Sequence, residues 1–305
     1  MKNIGKIIAS AVVATSLVAC STLEVQHPDF RVNVSNTSIV AGEEVTFEVD
    51  GAPDFITFFS GEAGSQYKYK DRINAEGTPL MSFSTVGRYG AQENTLKVLA
   101  SVDFNGQADA EGLEAATWTD ITSDFFINGL MEPDPSKWDL LRSGEGDLSA
   151  FIGKPLYLAF RYDGTGGTTQ RTWRIGDDFK IVLNTTEGQV INVADISNPG
   201  FQMVNVSGED GNRGKWRWRS TFWEVQGGPG SAPDNEDWLF TGPINLTSVS
   251  PDKGNSQNAY TDKVKKVTHT YSTPGTYTAT FVGINTTVEG SKESVKEVIV
   301  VVSDN

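Results

Sequence analysis

Residues 276–283 alternate in a way that a strand can use and a helix cannot. Tyr277, Ala279, Phe281 and Gly283 fall on one face of an extended chain. Thr276, Thr278, Thr280 and Val282 fall on the other, because side chains alternate across a strand with a period of two. Pro274 and Gly275 stand just before this run, and His269 to Ser272 lead into them. The stretch reads as a hairpin: a strand, a Pro-Gly turn and a long second strand. A last strand is predicted at 295–302, ending in the continuous apolar run Val298 to Val302, which suits full burial.

The same signals recur along the chain. Short strands are predicted at 30–36, 45–49 and 55–59, separated by the turns Ala41-Gly42-Glu43-Glu44 and Gly51-Ala52-Pro53-Asp54. Three short strands cannot close a core by themselves. Further strands are expected at 95–104, 118–122, 156–162, 190–193, 201–204 and 236–246. Residues 172–183 read as one long strand bent at Gly176, and 215–225 as another continuous strand. Asn105 to Gly112 reads as a polar loop. No helix of ordinary length is predicted after the first twenty residues, and no fixed-period repeat is present. Unpaired strands at both ends flank a different run of strands. That order suggests one domain inserted into a loop of another.

The first residues have their own logic. Lys2 and Lys6 precede a short apolar run from Ile7 to Val18, too short to span a bilayer. It ends in Leu17-Val18-Ala19-Cys20, which resembles a bacterial lipoprotein signal, with Cys20 as the lipidated mature N-terminus. An ordinary secretory signal followed by a stray thiol is the alternative. Cys20 is the only cysteine, so no intrachain disulfide can form and burial of a core must hold the fold. The net charge of −14 argues against a nucleic-acid partner, which would need a basic footprint.

Three kinds of candidate site emerge. Asp103, Asp120, Asp147, Asp177 and Asp178 lie at or near predicted strands and connectors, where carboxylates could supply the six to eight oxygens that Ca²⁺ takes. The plainer reading is that they are solvated ends in an acidic protein, and no EF-hand spacing is present. In Lys215 to Trp223, a continuous strand would place Trp216, Trp218 and Phe222 on one face and Arg217, Arg219 and Trp223 on the other. Trp223 between Arg217 and Arg219 would suit a sugar, whose ring offers an apolar face rimmed by hydroxyls. The alternative is that the tryptophans are core and the arginines offset local acids. Catalysis finds little support: His27 lies in a tether, His269 starts a strand, and no phosphate loop, zinc signature or dinucleotide fingerprint occurs.

Tyr271 to Phe281, preceded by His269, resembles the late hairpin of polycystic-kidney-disease-type (PKD-like) immunoglobulin-fold domains. Val34 to Phe59, with Gly42-Glu43-Glu44-Val45-Thr46-Phe47 and Gly51-Ala52-Pro53, resembles their first strands. The Trp-Asp-Phe-Gly-Asp-Gly centre of those domains is missing, and Phe58-Phe59-Ser60-Gly61-Glu62 stands in its place. Residues 143–181 are similar to the jelly-roll modules of cleaved-adhesin and choice-of-anchor proteins. The similarity runs through Asp147-Leu148-Ser149-Ala150-Phe151, Leu158-Ala159-Phe160-Arg161-Tyr162 and Trp173 to Asp177. The whole order resembles uncharacterised Bacteroides surface lipoproteins whose domain has no assigned activity.

The resemblance implies an all-β protein, a PKD-like immunoglobulin-type sandwich split by an inserted jelly-roll β-sandwich. The expected division is signal peptide 1–19, tether 20–29, first part of the sandwich 30–66, jelly roll 67–246, and linker with second part 247–305. The expected role is non-catalytic: an outer-membrane lipoprotein, at the cell surface or facing the periplasm, that binds glycan or polysaccharide. A structural subunit binding another envelope protein is the alternative, and a glycoside hydrolase the third reading. No cofactor is expected beyond a structural Ca²⁺.

Overall fold

The structure, a computed structural model, describes residues 24–129, 139–208, 211–257 and 263–304. Cys20 and the signal stretch lie outside the described residues. Among the described residues the fold is all-β, with one short α-helix. The first strands are β1 (Phe30–Val34), β2 (Ser38–Val40), β3 (Glu44–Gly51) and β4 (Phe55–Phe59). The middle of the chain forms β5 (Gly77–Ser82), β6 (Ser84–Arg88), β7 (Leu96–Ser101), helix α1 (Ala110–Ala115), β8 (Thr119–Asp120), β9 (Leu141–Arg142) and β10 (Gly146–Asp147). It continues through β11 (Tyr157–Gly164), β12 (Thr172–Gly176), β13 (Lys180–Thr185), β14 (Val190–Asp195) and β15 (Phe201–Ser207). Then come β16 (Trp216–Trp218), β17 (Phe222–Val225) and β18 (Asn235–Thr241). The chain ends with β19 (Asn255–Ser256), β20 (Lys266–Thr270), β21 (Gly275–Thr287) and β22 (Gly290–Ser303). Among the described residues no helix is long and apolar enough to cross a membrane.

The chain divides into two compact units, Met1–Lys70 with Asp252–Asn305, and Asp71–Pro251. The borders expected from the sequence are 66/67 and 246/247. At one border, the Gln66 amide donates to the Asp252 carboxylate at 2.9 Å and the Asp252 amide to the Tyr69 carbonyl at 3.1 Å. Those bonds tie residues 67–70 and 252 to the terminal unit. At the other, the Ala75 and Val249 amides donate to Thr247 and Ile73 and hold 247–249 in the central unit.

The terminal unit has two sheets, ordered β1-β3-β20 and β19-β4-β21-β22-β2. Their inner residues share one core, including Phe47, Phe58, Phe281, Val267 and Val300. Phe47 meets Phe281 edge-on at 5.1 Å and Phe58 lies 5.0 Å from Phe281. The inner face of β21 carries the residues that the alternation put there: Ala279, Phe281 and Gly283 are buried. A Cβ on Gly283 would fall 2.5 Å from the Phe30 ring, so the glycine gives that ring its seat.

The hairpin expected around Pro274-Gly275 does not form. β20 pairs with β3, whereas β21 pairs with β4 and β22, so residues 271–274 cross from one sheet to the other. Tyr271 explains the crossing. Its ring is fully buried between the sheets, stacked on Tyr277 at 4.5 Å, and its hydroxyl donates to the Ser60 carbonyl at 2.8 Å. A buried polar group needs such a partner, so the segment is drawn inward instead of turning back on β20. The true hairpin is β21–β22, in register from Gly275↔Val302 to Thr287↔Gly290. The last strand therefore starts at Gly290, not at Val295.

The central unit holds three sheets, ordered β10-β5-β13-β14, β15-β18-β11-β7-β8 and β16-β17-β12-β6-β9. All three give residues to one core: Met81 and Ile181, Leu158 and Phe160, Ile175 and Trp216. Residues 172–183 are not one strand. They break after Gly176, and the two halves join different sheets. Phe179 in the link is buried in the core, which forces the chain to leave the first sheet there. Residues 215–225 also divide, into the antiparallel pair β16–β17, turning at Ser220 with φ +77°.

Replacing Tyr271 by Phe keeps the ring but leaves the buried Ser60 carbonyl without this donor. The expected cost is about 1–3 kcal/mol of unfolding free energy, read by denaturant titration.

Candidate functional site

β7, β11 and β18 lie side by side, and both faces of this sheet are covered by side chains. Leu96, Val98, Leu158, Phe160, Tyr162 and Leu239 face the main core. Leu99, Ala159, Val204, Trp238 and Phe240 belong to a separate cluster on the other face. Register sets the second face out in rows. Lys97, Arg161 and Trp238 are cross-strand neighbours, and so are Leu99, Ala159 and Phe240.

The segment after β7 folds over the second row. Phe104 meets Tyr157 edge-on at 5.0 Å and Phe240 at 5.4 Å. Leu113 of α1 is buried in the same cluster. Residues 105–112 are thus not simply a solvent-reaching loop, because a helix begins within them. The helix is started by Asp109, whose carboxylate accepts the Gly112 amide at 2.8 Å and fills one of the bonds that a helix start leaves open. Trp118 follows, its Nε1 donating to the Leu113 carbonyl at 3.0 Å and its ring 5.1 Å from that of Trp238.

Lys97, Arg161 and an edge of the buried Trp238 line the floor of a cleft of about 560 Å³. Trp118, half-buried and packed on Trp238, forms one wall, and Asp120, Glu114 and Glu236 also line the cleft. Trp238 is only 4% exposed, and its indole N–H donates to Glu236 Oε1 at 2.8 Å. Arg161 lies 5.4 Å from the Trp238 ring, with Nε 2.9 Å from Asp163 and Nη2 3.3 Å from Glu236 Oε2. Trp118, Trp238, Arg161 and Glu236 are each fixed by a neighbour, which spares a ligand the entropy of ordering them. Hydrogen bonding from Thr122 holds the Asp120 carboxyl below its ordinary value, and Lys97 adds to the effect. Both oxygens of Glu236 are engaged, one by Trp238 and one by Arg161. The cleft offers flat aromatic surface beside charged groups of both signs, a combination suited to a hydroxyl-rich ligand.

The family model described as "Domain of unknown function (DUF5017)" matches residues 19–201. The chain belongs to this family. The DUF5017 match takes in Lys97, Trp118, Asp120 and Arg161, and ends before Glu236 and Trp238. No curated protein and no solved structure matched.

The residues singled out from the sequence lie elsewhere in this DUF5017 chain, Asp120 at the rim excepted. Trp223 pairs with Trp218 across the β16–β17 turn, is 9% exposed and packs 6.1 Å from Phe201. It is a core residue. The continuous-strand reading gives it the wrong face because the turn at 219–221 resets the alternation. Arg217 and Arg219 lie near Glu224, away from that core; Arg219 Nε is 3.2 Å from Glu224 Oε1. Arg217 donates to Gln226 at 3.1 Å.

The five aspartates are not brought together. Asp103 accepts from the Ser101 hydroxyl at 2.8 Å and the Thr117 amide at 2.9 Å, Asp120 from the Thr122 amide at 3.0 Å, and Asp147 from the Ser149 amide at 2.8 Å. Asp178 accepts from Ser84 at 2.5 Å, and Asp177 sits in the β12–β13 link, not inside a strand. Among the described residues no three His, Cys, Asp or Glu side chains group as metal ligands. Asp120 and Asp147 cap turns, and Asp103 ties the end of β7 to Thr117 beyond α1. His269 Nε2 lies 2.8 Å from Glu62, and His27 Nδ1 is 2.9 Å from the Glu293 carbonyl.

Sequence reasoning missed Trp118, Trp238, Arg161 and Lys97. The signal is present all the same: Glu236, Trp238 and Phe240 alternate with Asp237 and Leu239, which gives a strand apolar on both faces. Such a strand must be covered twice.

Hydrogen bonds also hold the Asp109 carboxyl below its ordinary value of 3.8, that from Gly112 first. The ionised cap is therefore complete above 3.8 and is lost as the pH falls through the lowered folded value. Asp109→Ala removes it at every pH. We expect a lower protection factor for the Gly112 amide, its exchange rate taken against the unprotected rate at the same pH, in the variant at neutral pH, and in the wild type only on acidification.

Proposed function

We propose that the protein is a non-catalytic, lipid-anchored envelope protein that binds extracellular glycan in the cleft of its central unit. The reading rests on one observation above all. Trp118 and Trp238 stand together beside Arg161 and Glu236, in a cleft whose side chains are already held in place. Sugar rings offer an apolar face to a tryptophan such as Trp118, held by Trp238 behind it, and hydroxyls to such charged groups. The anchor is the Cys20 lipid suggested by Leu17-Val18-Ala19-Cys20, and the site of display is the outer membrane of a Bacteroides-like cell, at its surface.

The finer architecture belongs to the same proposal. The terminal unit is read as a PKD-like immunoglobulin-type sandwich, supported by two sheets that share one core. The central unit is read as the inserted jelly roll, supported by its antiparallel sheets around one core.

The second reading, an assembly subunit that binds another envelope protein, draws on a different surface. Ile299 and Val301 of β22 are 59% and 45% exposed, two apolar side chains on one strand face.

A glycan array probed with the mature protein separates the readings. The cleft predicts a hit that weakens about tenfold or more in Trp118→Ala, read below the midpoint of that variant's own unfolding curve because the change also loosens the packing on Phe104 and Leu113. Undiminished binding in that variant contradicts the cleft, absence of any hit favours assembly, and turnover of the bound glycan favours a hydrolase.

A further inference from the structure

The terminal unit has a cleft of its own, of about 370 Å³, on the outer face of β21 and β22. All of its lining belongs to that unit. The floor is the polar side of β21. Thr276, Thr278 and Thr280 alternate with the buried Ala279 and Phe281, and register sets them beside Val301, Ile299 and Glu297 of β22. Residues 61–68 form the wall. Gly61, at φ +86°, lies flat on β21: a Cβ there would fall 2.7 Å from the Thr278 carbonyl oxygen, so only glycine lets the wall come this close. The wall is held from both ends. Tyr271 bonds the Ser60 carbonyl, and the Gln66 amide donates to Asp252. Tyr67 packs edge-on against Phe59 at 5.4 Å.

One atom of this cleft lacks what its chemistry requires. Gln66 Oε1 is buried, and among the described residues it accepts no hydrogen bond. A buried amide oxygen left unpaired costs stability, and native chains keep few of them. Its lining position lets a donor reach it from outside. Around it stand groups that suit a ligand rich in hydroxyls. Thr276 and Thr278 are exposed, two residues apart on one strand face, roughly 6.8 Å at about 3.4 Å per residue. Each hydroxyl can donate or accept. Lys68 and Glu297 bring one charge of each sign, so the lining sets no demand for a charged ligand. Tyr67 offers a ring, and Ile299, 59% exposed beside Thr278, offers apolar surface. A sugar residue answers every part of this set: its hydroxyls give and take hydrogen bonds, and its ring has an apolar face. An ammonium group would only donate, and Lys68 would repel it. A protein laid on Ile299 and Val301 would use the apolar pair and leave the amide oxygen and the threonine row without a role.

We propose that this cleft binds a neutral sugar residue of a glycan, with one hydroxyl donating to Gln66 Oε1 and others meeting Thr276 and Thr278. The site does not rest on the Trp118–Trp238 cleft and stands or falls separately from it.

The test is a glycan array probed with the mature protein and its variants, with an unfolding curve recorded for each. At least one neutral glycan is expected to bind the wild type and Trp118→Ala alike, and Gln66→Met about tenfold more weakly. Methionine keeps the length of the side chain and removes the orphaned oxygen, so the unfolding midpoint of Gln66→Met should equal or exceed that of the wild type. A residue that served only the fold would move binding and stability in the same direction. Thr276→Val with Thr278→Val keeps shape and strand preference at two exposed positions and should show a similar loss of binding. Equal binding of the wild type and either variant would overturn the proposal, as would the absence of any neutral glycan that depends on these residues. A lowered midpoint in Gln66→Met would overturn it too, because the oxygen would then be partnered in the free protein.

Discussion

The central unit depends on a sheet that must be covered on both faces. β11 and β18 alternate between two environments, and each contributes apolar side chains to both. Burying one face closes the main core. Burying the other requires a cover, and the chain supplies it with residues 102–118, pinned by Leu113, Phe104 and Trp118. The cover reaches only part of the face. Where it stops, Lys97 and Arg161 line a cleft beside Trp118, with the buried Trp238 beneath. The cleft is thus the margin of a packing solution, and its rigidity comes from the same contacts that hold the cover down.

Much of the fold is legible because a period of two is a strong signal. The strands at 30–34, 44–51, 55–59 and 275–287 follow directly from alternation, and so does the inner face of β21, residue by residue. What the sequence does not display is which sheet each strand joins. At 271–274, 177–179 and 219–221 a few residues carry the chain to a new partner or reverse it. In each case a local detail decides: Tyr271 anchored to Ser60, Phe179 sunk in the core, Ser220 in a left-handed conformation. A strand-by-strand reading has no access to such contacts, and one undetected turn inverts every later face assignment. Trp223 shows the consequence. The cleft is hidden for a related reason, since Trp118 and Trp238 meet only through tertiary packing, although the two-sided pattern of 236–240 is visible.

Charge follows the same division between local and long-range effects. Asp120 and Asp147, which suggest a cation site in the sequence, take backbone hydrogens within their own turns, while Asp103 takes a hydroxyl hydrogen two residues back and the Thr117 amide beyond α1. Their low pKa values reflect that work. The arginines depend instead on strand pairing, because only the β12–β17 and β16–β17 registers bring Arg174 and Arg217 to either side of Glu224.

The central claim is that the Trp118–Trp238 cleft is where a glycan rests. Indole N–H resonances report it directly in a titration with glycans released from a natural polysaccharide mixture. The account predicts that the Trp118 and Trp238 signals move together while those of the core residues Trp173 and Trp216 stay fixed. Saturable binding with Trp118 and Trp238 unmoved would contradict it.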